Sequence, residues 1–430
     1  MNDDRILRCV LIVSLAGFLS GFDSVLISGA NLDIKQAWQL SDWFHGAFII
    51  SIALWGTVIG ALAGGYPTDK LGRKKTLIWV GIAFILSAIG TSLAPSPYIF
   101  SLFRFLGGVA AGIGSIAAPA YIAEISQAKH RGKLGMLFQL NLVTGILMAF
   151  LSNYALKGVG GDANDWRWMV GIVIVPALIF TFLLRQIAES PRWLLLRSRH
   201  LANDPEKANL VSSVAKGPND DARLFSGKYN RILVISFLIV FFNQFSGISF
   251  ILFYAPEILE KAGFGTTESL LGSVSIGAVN LVFTIVGMYL IDRIGRRKLM
   301  YIGSIGYIIS LTMISAAFYF GLPASFVLIC ILAFIVSHSV GQGVIIWVFI
   351  AEIFPTPVRP FGQAWSSGLM NGFAALITLF GAVLLHEFSP PVVFASFAVL
   401  MVLQLLFTLF MMPETKGVTL ESLETQLVKE

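Results

Sequence analysis

Asp69-Lys-Leu-Gly-Arg-Lys-Lys75 and Asp292-Arg-Ile-Gly-Arg-Arg-Lys298 are near copies of one another, 223 residues apart. Two further pairs recur at almost the same offset. Tyr121-Ile-Ala-Glu-Ile125, followed by Arg131, is echoed by Phe349-Ile-Ala-Glu-Ile353, followed by Arg359. Glu189-Ser-Pro-Arg192 is echoed by Glu414-Thr-Lys416. Three polar signatures at one spacing mark an internal duplication, so the chain reads as one unit repeated in parallel.

The sequence between these signatures is apolar. Of the 430 residues, 56% are hydrophobic and 13% charged, about half the charge of a typical soluble domain, and the mean hydropathy is +0.80. Runs of at least 18 apolar residues recur throughout, each long enough for a membrane-spanning helix. They predict twelve spans, over 6–30, 44–66, 76–94, 98–122, 134–154, 167–186, 231–255, 270–291, 299–320, 324–350, 362–385 and 390–412. The expected fold is therefore an all-α membrane protein. Six-helix bundles over 1–187 and 230–412 flank a polar cytoplasmic linker over 188–229, and a short tail covers 413–430. The first span is too long for a signal-peptide core and is expected to remain as a helix.

The net charge of +6 comes from topology. With both termini cytoplasmic, 25 of the 30 Lys and Arg fall on the inner side; Lys35, Lys157, Arg167 and Lys261 fall outside, and Arg104 lies within a span. That asymmetry is the positive-inside pattern, so no nucleic-acid partner is implied. Cys9 and Cys330 lie in apolar spans and suit neither a disulfide framework nor a metal site. No Asn-x-Ser/Thr sequon is present. No nucleotide loop, zinc spacing or nucleophile–base set appears, so no enzyme activity, cofactor or metal is expected.

Two ionisable residues sit deep in spans. Asp23 lies in Ser14-Leu-Ala-Gly-Phe-Leu-Ser-Gly-Phe-Asp-Ser-Val-Leu-Ile-Ser28 and Arg104 in the fourth span. A carboxylate at that depth costs roughly 2.5–3.5 kcal/mol on insertion scales, so it needs a partner or a wet cavity. An acid and a base in this setting suggest a titratable pair on a transport path; a fixed pair orienting the first and fourth helices is the structural alternative. Along the cytoplasmic loops, Asp69, Arg73, Glu124, Arg131, Glu189, Asp292, Arg296, Glu352, Arg359 and Glu414 are expected to form a charge network on both halves. Such a network would hold one conformation and break in another. Gly108 and Gly112, one helical turn apart, read as a close-packing face.

The two Asp-x-x-Gly-Arg loops, Arg104-x-x-x-Gly108-x-x-x-Gly112, Glu189-Ser-Pro-Arg-Trp193 and Pro413-Glu-Thr-Lys-Gly417 together resemble the sugar porter family of the major facilitator superfamily over nearly the whole chain. The resemblance implies two bundles, a sugar site between them and alternating access. It implies that Asp23, an acid found in proton-coupled members, pairs with Arg104 and exchanges it for a proton as the bundles rock. It also implies sugar contacts from Gln139, Gln244, Asn280 and Trp347, and an outer gate at Tyr254. Asn243, Ser249, Phe253 and Asn371 stand where many members carry Gln, Asn, Tyr and Trp. Those departures leave a pentose, a hexose or a cyclic polyol open as substrate. Gln342 adds a further amide within a span, and His338 is an outside candidate for a relay. The expected function is proton-coupled import of a monosaccharide or polyol by a monomer in a plasma or bacterial inner membrane. The alternatives are an uncoupled uniporter, a sugar sensor, which usually needs a longer signalling tail, and an organic-ion porter.

Overall fold

A computed structural model of the protein describes residues 3–127, 131–161, 163–199, 224–355, 357–418, 422–423 and 427. Among them, twelve helices are long and apolar enough to cross a membrane. These are α1 (Asp4–Ala37), α2 (Asp42–Ala63), α3 (Arg73–Ser92), α4 (Pro97–Ile125), α5 (Leu134–Leu156), α6 (Asp165–Leu184), α7 (Asn230–Lys261), α8 (Thr266–Ile294), α9 (Arg296–Tyr319), α10 (Ala324–Ile353), α11 (Phe361–Glu387) and α12 (Pro390–Phe410). Several outrun the apolar stretches that predict them, α1, α7 and α8 most of all. Their final turns carry polar residues yet keep the helical hydrogen-bond ladder, which lipid demands and which nothing at the membrane surface forbids. Most of the predicted linker, residues 200–223, lies outside the described residues.

Helices pack in two sets, α1 to α6 and α7 to α12. In the first, α1 lies along α5 and α4 packs on both α2 and α3; in the second, α9 lies against α10 and α12. The α2–α4 seam depends on the expected small-residue face. A Cβ on Gly108 would stand 1.9 Å from the Ala53 carbonyl oxygen, and one on Gly112 would stand 2.3 Å from that of Thr57. Only glycine lets the two backbones approach so closely. The halves meet along α5–α8, α2–α11 and α1–α7.

Helices α2 and α7 at the junction, and α10 behind it, are interrupted. In α7 the helix stops at Gln244 and restarts at Ile248, with Gly247 left-handed at φ 91°. A second irregularity follows at Tyr254, with φ −114° and ψ 15°, two residues before Pro256. In α10 the break falls at Gly341, whose ψ of −109° no regular helix adopts. In α2, residues His45–Ile50 wind as a wider π-helix. Helix breaks at membrane depth survive where protein or a wet cavity surrounds them, and there they aim side chains inward.

Candidate functional site

At the centre of the first half, Arg104 Nη1 donates to Asp23 Oδ1 at 2.8 Å and to the Asp23 backbone oxygen at 3.2 Å. Both side chains are buried. Arg104 Nε and Nη2 have no hydrogen-bond partner. Gly107, three residues further along α4, leaves room for Ser87: its Cβ would lie 2.5 Å from Ser87 Oγ, with Asp23 Oδ2 at an ordinary contact distance of 3.6 Å. The predicted pair therefore exists, held through one corner of the guanidinium.

The α7 and α10 breaks bring amides together in the second half. Ser249 Oγ donates to Gln244 Oε1 at 2.6 Å, Gln244 Nε2 to Asn243 Oδ1 at 3.0 Å, and Asn243 Nδ2 to Gln342 Oε1 at 3.2 Å. Tyr307 Oη lies 3.3 Å from the same Gln342 oxygen and 2.6 Å from His338 Nδ1. Segments of α7, α9 and α10 thus share one buried polar string.

Other expected contacts stand apart from it. Asn280 Oδ1 accepts from Ser339 Oγ at 2.8 Å. Asn371 donates to the Ser367 carbonyl of its own helix at 2.9 Å. Gln139 is half-buried on α5 and Trp347 is exposed on α10. Phe253 and Tyr254 are both buried, and the Tyr254 hydroxyl donates to the Thr378 carbonyl of α11 at 2.8 Å.

The repeated loops build the same device twice. Arg73 Nη2 meets Glu124 at 2.9 Å and Asp69 at 3.2 Å; Arg296 Nη2 meets Glu352 at 2.9 Å and Asp292 at 3.4 Å. Glu189 accepts the Lys74 backbone N–H at 2.9 Å, while Glu414 accepts those of Arg296 at 3.0 Å and Arg297 at 3.2 Å. These carboxylates sit on the first N–H groups of α3 and α9, where orphan donors and the helix dipole favour negative charge. Ser190 Oγ donates to Glu124, and Thr415 Oγ1 to Glu352 at 2.5 Å. Arg359 Nε donates to the Phe354 carbonyl at 3.1 Å. The Arg131 side chain lies outside the described residues. Every one of these ion pairs joins residues of a single half. The loops brace each bundle internally, a different arrangement from charges meeting across the gap.

Among the described residues, side-chain polar contacts across the halves lie at the opposite end, and no motif in the sequence points to them. Asn31 Nδ2 of α1 donates to Glu257 Oε2 of α7 at 3.1 Å, and within the second half His386 Nε2 lies 3.1 Å from Glu257 Oε1. Lys35 Nζ is 3.1 Å from His386 Nε2, which is 3.7 Å from Asp42 Oδ1. Within the first half, Asn31 Oδ1 also meets His45 Nε2. The titratable residues among them fall at or near span ends, where charge is ordinary, so only their convergence marks them.

Residues 9–427 match the family model described as "Sugar (and other) transporter". The chain belongs to that family of transporters. It is 33% identical to a glucose transporter, GlcP, of Staphylococcus epidermidis, with 96% of this chain and 95% of the relative aligned. It is likewise 33% identical to an arabinose-proton symporter of Bacillus subtilis, covering 96% and 93%. Among solved structures, the inward-open xylose transporter XylE of Escherichia coli superposes with a TM-score of 0.84 at 27% identity, over 98% of this chain and 99% of that one. The all-helical, twelve-span fold expected from the sequence is that of this transporter family, and the chain is an integral membrane protein.

Proposed function

We propose that this sugar transporter family member is a proton-coupled importer of a monosaccharide or polyol. The observation that carries the reading is the buried Asp23–Arg104 pair, in which the acid has one charged partner and the base keeps two unpartnered nitrogens. When the halves rock, separation from Arg104 leaves Asp23 as a buried carboxylate, which a proton neutralises. Releasing that proton restores the pair. Substrate and proton move together because both favour the same conformations. The names of relatives support the class, since arabinose-, galactose- and xylose-proton symporters are among them.

In this reading the substrate is held by Gln139, Asn243, Gln244, Ser249, Asn280, Trp347 and Asn371, with Phe253 and Tyr254 closing the outer side. Bundles over 1–187 and 230–412, joined by the 188–229 linker and followed by the 413–430 tail, work as a monomer in a plasma or bacterial inner membrane with both termini cytoplasmic. The charged loops then face the cytoplasm and brace each bundle during rocking. The test is sugar-triggered proton uptake into proteoliposomes, screened over pentoses, hexoses and inositols, for the wild type and Asp23→Asn. Alkalinisation with one sugar, lost in the variant while counterflow exchange survives, is the expected result. Sugar flux without proton movement in the wild type overturns the coupling, and silence across the panel moves the substrate outside the sugars.

A further inference from the structure

Gln342 is fully buried, and its Oε1 is the common acceptor for Asn243 Nδ2 at 3.2 Å and Tyr307 Oη at 3.3 Å. Its Nε2 has no partner. A buried donor left unpaired is costly, and native interiors rarely keep one without a use. The hydrogen bonds of the string run the same way from both ends. From one end, Ser249 donates to Gln244, Gln244 to Asn243 and Asn243 to Gln342, so the free donor emerges at the last member. From the other end, a Tyr307 hydroxyl that donates to Gln342 must accept from His338, which then carries its proton on Nδ1.

The backbone around Gln342 is built to hold this arrangement. The α10 helix breaks at Gly341, so the Gln342 side chain is not committed to the direction a continuous helix would impose. A Cβ on Gly303 would come within 3.1 Å of the Gly341 Cα. That close approach of α9 to the break places Tyr307, one turn beyond Gly303, against the glutamine.

We infer that Gln342 is a specificity-determining residue whose Nε2 donates to one hydroxyl of the transported monosaccharide or polyol. Tyr307 and His338 act on it as positioning residues. The inference rests on the sugar-transport reading above and adds to it a ligand contact from the α10 break. A neutral donor suits a hydroxyl, and it leaves the charge balance of the Asp23–Arg104 pair untouched. A site of this kind discriminates by hydroxyl position, because a substrate lacking the matched oxygen leaves the donor unpaired.

The experiment is a cycle between protein and ligand. Equilibrium binding to the purified protein is measured for D-xylose, D-glucose, D-galactose and myo-inositol, then for monodeoxy analogues of whichever parent binds, with the wild type, Gln342→Met and Tyr307→Phe. At one ring position, removing the hydroxyl weakens wild-type binding about tenfold or more. Gln342→Met is then indifferent to that hydroxyl, while losses at every other position match the wild type. Retained affinity for the matched deoxy sugar shows that the variant is folded. Tyr307→Phe gives an intermediate loss at the same position, and it keeps the test decisive where Gln342→Met does not fold. Equal losses in all three proteins at every position overturn the inference and make Gln342 a helix-packing amide, with sugar transport intact. A wild type that binds no member of the panel overturns the transport reading and this inference with it.

Discussion

Arg104 holds Asp23 through a single nitrogen, with Nη1 2.8 Å from Oδ1, while Nε and Nη2 stay buried and unpartnered. The pair is thus unequal in its dependence. Removing the acid strands a buried cation, and breaking buried pairs in this way typically costs about 3–5 kcal/mol. Asp23→Ala is expected to lose stability on that scale. Asp23→Asn keeps an acceptor for Nη1 and is expected to lose markedly less. Thermal unfolding in detergent separates the two; equal melting shifts would mean that Arg104 draws its stabilisation from elsewhere.

Gly72 and Gly295 each precede a helix with φ of 96° and 101° and ψ near 160°, a region that side chains other than glycine scarcely enter. A Cβ would also stand 2.4 Å from Glu189 Oε2 and 2.8 Å from Glu414 Oε2. Gly72→Ala and Gly295→Ala are therefore each expected to destabilise by roughly 1–3 kcal/mol. Their effects should add, because each device lies within its own half. A double variant whose loss differs from the sum by more than about 0.5 kcal/mol would show that the loops are coupled across the halves.

Beyond α5, Lys157 Nζ lies 3.5 Å from both Asp33 and Asp165, and Asp165 accepts the Gly158 and Gly160 backbone N–H groups at 2.6 and 2.7 Å. Burial works to lower the Lys157 pKa, but the adjacent Asp33 and Asp165 carboxylates outweigh it and raise the value. A lysine with a raised folded-state pKa contributes stability that is complete below its unfolded pKa of about 10.4 and fades as pH climbs through the folded value. Wild-type protein should therefore melt above Lys157→Met at neutral pH, with the gap closing in strong alkali. A gap constant across that range would assign the loop's stability to the Asp165 backbone contacts alone.

The repeated loops were legible because duplication writes the same residues twice. Asp69, Gly72, Arg73 and Glu124 on one side and Asp292, Gly295, Arg296 and Glu352 on the other occupy equivalent places. Glu189 and Glu414 were legible as charges, but their role as caps on α3 and α9 needed the backbone. Asp23 and Arg104 stood out because isolated charge at membrane depth is expensive. Gln342 was visible only as one amide among several, since nothing in the residue itself shows which of its atoms is satisfied. Tyr307 gave no signal, being one of ten tyrosines in an apolar chain. The cluster around Glu257 escaped for a different reason. Asn31 and Glu257 are 226 residues apart with no matching pattern, and only the docking of the halves brings them together.

That cluster carries the last prediction. Glu257 is bonded to Asn31 of α1 and lies 3.1 Å from His386 of α11, and Lys35 and Asp42 reach His386 from the first half. The Asn31–Glu257 bond and the contacts of Lys35 and Asp42 with His386 cross between the halves and exist only while they are closed at this end, so they stabilise that state and contribute nothing to one open there. A differential contact of this kind sets the population ratio. Hydrogen bonds to a charged group are worth about 1.5–3 kcal/mol, so losing the Asn31–Glu257 bond shifts the ratio by roughly tenfold or more. Asn31→Ala and Glu257→Gln are expected to favour opening at this end. Pulsed electron paramagnetic resonance between spin labels at the ends of α1 and α7 beyond the cluster should show a longer-distance population in both variants than in the wild type. Glu257→Gln keeps an oxygen that accepts from Asn31, so a larger shift in Asn31→Ala would identify the Asn31–Glu257 bond as the main contact holding this end shut. A larger shift in Glu257→Gln would assign the excess to the placing of His386 by Glu257 against Lys35 and Asp42 of the first half. Unchanged distances in both would mean that the apolar α5–α8 and α2–α11 seams hold this end closed by themselves.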